Sequence, residues 1–171
     1  MIELEIKVPC PDLNGLERRL KELGAEHVED LDQEDVYFSH PERDFGVTDE
    51  ALRLRRENDR SRITYKGPKM DADTKMREEI ELGVEDLSLM SSVLERVGFK
   101  PFLRVAKSRT VYSYQDVEIC LDRVEGLGDY VELEYEGEDL VAGKEKIMLL
   151  KRQLGLKGNE RRSYLELIME K

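Results

Sequence analysis

The chain has no tryptophan, only two cysteines and two histidines, and 6% aromatic residues among 171, so whole classes of chemistry lack their side chains. Cys10 and Cys120 stand far apart with no CxxC or Cys/His spacing, which argues against a thiolate zinc site or a disulfide framework and leaves buried free thiols as the expectation. His27 and His40 lie outside any HExxH or triad context. Any metal must therefore be held by oxygen. Cations are short too: 28 basic residues against 39 acidic give a formal net charge of -11, against general binding of nucleic acid or anionic membranes. No apolar run approaches the length of a membrane span, and the N-terminus opens on a strand pattern where a signal peptide would need a basic start and an apolar stretch. The expectation is a soluble, cytoplasmic protein with one domain over residues 1–171.

What the chain does contain is alternation. In "MIELEIKVPC", Ile2, Leu4, Ile6 and Val8 fall on one side of a strand and Glu3, Glu5 and Lys7 on the other. "PDLNGLERRLKELG" spaces Leu13, Leu16, Leu20 and Leu23 as a helix, with Asp12 as N-cap and Gly24 as stop. "DQEDVYFSHP" reads as a short strand ending at Pro41 and "ERDFGVTDE" as a polar loop. "ALRLRR", "SRITYKG" and "TKMREEIEL" read as three antiparallel neighbours. "VEDLSLMSSVLERVGF" carries Leu87, Met90, Val93, Leu94 and Val97 on one helical stripe. "FLRVAKSRTVYSY", "VEICLDRV" and "GDYVELEYE" then form a meander through turns at Gln115-Asp116 and Glu125–Gly128. "EDLVAGKEKIMLLKRQLGL" is another amphipathic helix, and Ser163 with Glu166 makes a capping box before a short terminal one. The count is about eight strands and three or four helices.

The polar faces of these strands are unusual. Arg53 and Arg55 oppose Leu52 and Leu54; Arg62, Thr64 and Lys66 oppose Ile63 and Tyr65; Arg77, Glu79 and Glu81 oppose Ile80 and Leu82. Glu118 and Asp122 oppose Ile119 and Leu121, and Glu132, Glu134 and Glu136 oppose Val131, Leu133 and Tyr135. If the apolar faces pack on helices, the charged faces either meet solvent, as on an open sheet, or line the lumen of a closed barrel. At an effective dielectric near 20 a like charge at 4 Å costs about 4 kcal/mol, so such a lumen needs mixed signs, a metal ion or a polyanion. Two details favour the lumen. Arg-x-Arg with a nearby Lys offers forks and point charges for phosphate oxygens, and Glu-x-Glu pairs on two strands offer the hard oxygens that Mg²⁺ or Mn²⁺ takes alongside phosphate.

"ELEIK" resembles the ExExK signature of the CYTH superfamily, the triphosphate tunnel metalloenzymes, and "QEDVYF", "LRLRR", "TYKG", "REEIEL", "KSR", "CLDRVEGLGDYVELE" and "RSYLEL" follow in family order along nearly the whole chain. The resemblance implies an α+β fold: a closed eight-stranded antiparallel β-barrel, the triphosphate tunnel, with amphipathic helices packed outside. It implies Glu3, Glu5, Glu132 and Glu134 as metal-facing carboxylates for Mg²⁺ or Mn²⁺, and Lys7, Arg53, Arg55, Lys66, Lys107 and Arg109 as triphosphate-binding cations. Glu3, Glu5 and Lys7 with Asp122 form the implied catalytic set, and Arg77, Glu79, Glu81 and Tyr164 are further lumen candidates. Lys107 and Arg109 share a face with Leu103, Val105 and Val111, which requires a bulge or a strand that lines the tunnel only in part.

The spacing Gln33-x-Asp35-x-Tyr37-Phe38 and the "SYLEL" terminus are most similar to the class IV adenylyl cyclase branch, which implies conversion of ATP to cyclic AMP and pyrophosphate. A triphosphatase acting on inorganic, thiamine or nucleoside triphosphate is the alternative, although no indole is present to stack a thiamine ring. A module that binds polyphosphate or nucleotide without turnover is the third reading. A homodimer is implied by the resemblance alone. "KGPKMDADTK" reads as a mobile loop near the tunnel mouth, with Lys69 and Lys75 as solubilising charge or as substrate contacts, and Tyr164 and Arg162 as closing one tunnel end.

Overall fold

The computed structural model describes residues 1–171. In chain order the elements are β1 (Ile2–Pro9), α1 (Leu13–Leu23), β2 (Glu26–Ser39), α2 (Phe45–Thr48), β3 (Ala51–Glu57), β4 (Arg60–Lys66) and β5 (Arg77–Gly83). They continue with α3 (Leu87–Arg96), β6 (Lys100–Tyr114), β7 (Val117–Val124), β8 (Gly128–Tyr135), α4 (Leu140–Gln153) and α5 (Tyr164–Met169). The eight strands close into an antiparallel barrel in the order β1-β5-β4-β3-β2-β6-β7-β8. Asn58 and Gln115 adopt positive φ at the tight turns that join β3 to β4 and β6 to β7. No helix is long and apolar enough to cross a membrane.

Alternation decides which way each side chain faces. Leu4, Ile6 and Val8 point outward and pack with Leu13, Leu16 and Leu20 of α1, Ile147 and Leu150 of α4, and Ile119, Leu121, Val131 and Leu133 of the neighbouring strands. Asp12 caps α1 by accepting from Gly15 N, and Gly24 ends it in the left-handed conformation that a side chain disfavours. A second outer core puts Leu94 of α3 against Phe38, Leu52 and Leu54. The opposite parity of every strand is left for the lumen.

The barrel seam is uneven. β1 pairs with β8 from Leu4 to Pro9 but with β5 only at Ile2 and Glu3. Where β5 diverges, the segment before it takes over, with Lys75 N donating to Glu5 O at 2.9 Å.

Three local expectations differ from the structure. β2 begins at Glu26, well before the short strand read from residue 32, because acidic side chains occupy both its faces and erase the alternation. Residues 45–48 of the supposed polar loop form α2, capped by Asp44, so there are five helices. The pairing of β6 with β2 runs unbroken from Leu103 to Val111, so neither a bulge nor a partial lining is needed there: Val105 and Val111 also face inward.

Candidate functional site

The inward parity gathers charge around a cavity of about 1620 Å³. Glu3 and Glu5 on β1 and Glu134 on β8 offer carboxylate oxygens that all lie within 4.8 Å of one another. Glu5 and Glu134 are register partners, so the barrel itself imposes the closeness. Burial, followed by the negative charges of Glu3 and Glu5, pushes Glu134 up to about 9. Burial also raises Glu3, despite the nearby Lys66 ammonium. Three hard oxygen donors that repel one another are the donor set a divalent cation such as Mg²⁺ or Mn²⁺ satisfies.

The basic wall is built on two buried aspartates. Asp35 takes a bidentate pair from Arg55, Nε at 2.7 Å and Nη2 at 2.8 Å, with Arg53 Nη1 at 3.8 Å and Lys107 Nζ at 4.0 Å. Burial alone would raise its carboxyl, but Arg55 and Arg53 outweigh that and hold it well below the usual carboxylate range. Asp122 does the same for Arg109 at 2.6 Å on both oxygens, and accepts from the Tyr164 hydroxyl at 2.6 Å. Both guanidinium forks are thus locked before any ligand arrives. Arg53 and Arg77 each keep a buried Nε–H with no protein partner.

Lys7 and Lys107 are both pushed down to about 7, first by burial and then by neighbouring cations, Lys75 for Lys7 and Arg55 with Arg109 for Lys107. Lys7 Nζ sits 3.8 Å from the centroid of the Tyr164 ring, donates to Arg162 O at 3.0 Å and lies 3.4 Å from Glu132. Lys66 bridges Glu3, at 3.2 Å, and Glu79.

Most of the residues singled out from the sequence therefore meet in one lumen. Glu132 stands apart from its expected company: its carboxylate contacts Arg109 and Lys7 and lies 3.8 Å from Lys75, outside the cluster of Glu3, Glu5 and Glu134. Glu81 lies in an exposed position with Arg62 at 2.7 Å, and Arg77 is buried, with Nη2 3.4 Å from Asp49. α5 packs Tyr164 and Leu167 against Tyr37, Val105 and Val124, whereas the Arg162 side chain turns outward to Glu160 and Glu170. Sequence reasoning used Asp35 only within the Gln33-x-Asp35-x-Tyr37-Phe38 spacing and missed its anchoring role. It also favoured solubilising charge for Lys75, which the structure buries against Glu5, the bound partner overriding the composition of the loop.

Comparison with known proteins agrees with this architecture. The family model described as the CYTH domain matches residues 1–164. A Methanocaldococcus jannaschii protein named as a candidate adenylate cyclase is 42% identical over 172 residues, 98% of each chain. The adenylate cyclase CyaB of Aeromonas hydrophila is 27% identical over 170 residues, spanning 95% of this chain and 86% of that one. The solved structure of a Pyrococcus horikoshii protein is similar at a TM-score of 0.90 and 40% identity over 98% of both chains.

Proposed function

The chain belongs to the CYTH domain family, and from that premise we propose that it is a divalent-metal-dependent enzyme that binds a triphosphate in its lumen and, as an adenylyl cyclase, converts ATP to cyclic AMP and pyrophosphate. The observation that carries the proposal is the adjacency of Glu3, Glu5 and Glu134 to a wall of cations, Arg53, Arg55 and Lys107 buried and Lys66 and Arg109 partly buried. A polyanion alone needs only the second half of that arrangement. The names of the two curated relatives support the cyclase reading over other uses of the same site.

Arg55 and Arg109, held by Asp35 and Asp122, would receive phosphate oxygens without reorganising, which is the form of electrostatic help that lowers a barrier most. The free Nε–H of Arg53 offers a further donor. Lys7 and Lys107, poised near neutrality, gain full charge when a polyanion arrives and so bind it more strongly than empty-site protonation suggests. Glu3, Glu5 and Glu134 would hold a divalent cation, which when bound would neutralise charge on the phosphate oxygens around the phosphorus under attack. In the cyclase reaction the ribose 3′ oxygen bonds to the α-phosphorus as its proton passes to solvent water, and the bond from that phosphorus to the pyrophosphate oxygen breaks.

A second reading, hydrolysis of the terminal phosphate, is favoured by one observation: Tyr37, Tyr130 and Tyr164 are engaged with one another and with Leu167 of α5, so none of these three rings stands free to stack a base. The test is incubation with ATP, inorganic triphosphate or thiamine triphosphate and Mg²⁺ or Mn²⁺, with chromatographic separation of products. Cyclic AMP with pyrophosphate, lost in the Glu3→Ala/Glu5→Ala variant, is the expected result. Orthophosphate without cyclic product would select the triphosphatase reading, and no turnover of any of the three would overturn both.

A further inference from the structure

Every lumen cation discussed so far except Lys75 sits on a barrel strand, so barrel register fixes its place. Lys75 does not. It lies in the segment joining β4 to β5, yet its side chain is buried, its ammonium pairs with Glu5, and it lies 3.8 Å from the Glu132 carboxylate that also engages Lys7. It thus stands on the border between the three clustered carboxylates and the basic wall. Its own backbone is tied to β1 by one bond, Lys75 N donating to Glu5 O at 2.9 Å, and the residues leading up to it are held from elsewhere.

Asp71 is the centre of that hold. Its Oδ1 accepts from Asp73 N at 2.5 Å and from Thr74 N at 3.3 Å, which folds the segment immediately before Lys75. Its Oδ2 accepts from Lys144 Nζ at 3.0 Å, and the same ammonium donates to Asp73 Oδ2 at 2.9 Å. Lys144 belongs to α4, which packs outside the barrel on β8 and β1. The carbonyl groups are held as well, Asp71 O by Arg161 at 2.7 Å and Asp73 O by Asn159 at 2.8 Å. Thr74 is fully buried at the point where the segment turns inward.

We infer that the β4–β5 segment is a strap that presents Lys75 to the bound triphosphate, and that Lys144 is the positioning residue that sets the strap from outside the barrel. The inference rests on the reading of the lumen as a triphosphate site. Lys75 contacts the ligand; Lys144 never does and acts only through Asp71 and Asp73. Losing Lys144 frees the strap at its most exposed point while leaving every strand and both aspartate-anchored guanidinium groups in place.

The experiment is calorimetric titration of the full chain with inorganic triphosphate in the presence of EDTA, with thermal unfolding recorded for each variant. Lys75→Met is expected to weaken binding about tenfold, the lower end for loss of a charge-assisted hydrogen bond. Lys144→Met should weaken it about threefold, in the range of a partly exposed ion pair, and Lys144→Arg should bind as the wild type does. In the Lys75→Met background, Lys144→Met should cost nothing further, because its effect passes through Lys75. Equal weakening with and without Lys75, or a lowered unfolding temperature with unchanged affinity in Lys144→Met, overturns the inference. Arg53→Met is the control for the underlying reading: if it loses affinity while both lysine variants bind normally, the strap fails alone. If neither the wild type binds nor Arg53→Met differs from it, the triphosphate site itself fails. Should Lys75→Met not fold, the comparison of Lys144→Met with Lys144→Arg still decides.

Discussion

Replacing Asp35 with asparagine should be among the most costly single changes in this protein. The asparagine keeps the shape but removes the charge from a carboxylate buried beneath three cations, Arg55 at 2.7 and 2.8 Å, Arg53 at 3.8 Å and Lys107 at 4.0 Å. Each pair at that range is worth about 4 kcal/mol at an effective dielectric near 20, before desolvation is subtracted. Breaking a buried pair from one side costs about 3–5 kcal/mol net, because the stranded cations remain desolvated. That is a large part of the roughly 5–15 kcal/mol that holds a domain together. With a urea slope of about 2 kcal/mol per molar, the midpoint should fall by about 2 M. Far-ultraviolet circular dichroism reads this directly. A fall under about 0.5 M would refute the reasoning, since it would mean that the three cations find compensation elsewhere. A second reading of the same variant is its response to inorganic triphosphate, which at a hundredfold excess over its dissociation constant stabilises by about 2.7 kcal/mol. Asp35→Asn should gain more urea resistance from the anion than the wild type does. The pH dependence has a definite sign: the folded carboxyl is held low, so its contribution is fully present above the unfolded value near about 4 and is lost as pH falls from there.

Glu134 has the opposite sign. Its folded value is raised to about 9, so the metal-free protein loses stability as pH rises from the ordinary carboxyl value toward 9, and Glu134→Gln should be more stable than the wild type over that window in EDTA, checked by urea midpoints at a series of pH values. A stability gain absent at pH 8 would remove the crowded-carboxylate argument. Saturating Mn²⁺ should raise the unfolding temperature by about 5–10 °C through mass action, and Glu3→Gln/Glu5→Gln should abolish the shift. Tyr164→Phe keeps the ring under Lys7 but loses the bond to Asp122, and should cost about 1–2 kcal/mol in a urea titration; a neutral result would mean that Arg109 alone satisfies that aspartate.

Much of this site was legible because alternation is a strict code. Once Leu4 and Ile6 must be outside, Glu3, Glu5 and Lys7 must be inside, and the same logic places Arg53, Arg55, Glu132 and Glu134. The code fails where both faces carry the same kind of residue. In β2, Asp32 and Glu34 face out while Gln33 and Asp35 face in, so charge no longer reports direction and the anchoring carboxylate was passed over. It fails again off the strands, where Lys75 is buried against Glu5 while the segment before it is held through Asp71 and Asp73 by residues more than sixty positions away, Lys144, Asn159 and Arg161. Parity also cannot tell which inward carboxylates cluster. Glu132 and Glu134 share a face and a strand, yet one answers to Arg109 and the other to Glu3 and Glu5, and only the stagger between strands decides that.

The seam between β1 and β8 also governs how the molecule is assembled. The strand made first must wait for the strand made near the end, since six consecutive residues of β1 find their partners on β8 and only two on β5. Contacts that span almost the whole sequence are slow to form, so ring closure should be the late step of folding. Until then Glu5 has no Glu134 beside it, and the basic wall faces water with its charges fully hydrated. The nascent chain therefore carries the components of the site without its chemistry: the arginine forks can form between neighbouring strands, but the crowding of the three carboxylates comes into being only when the last strand docks on the first.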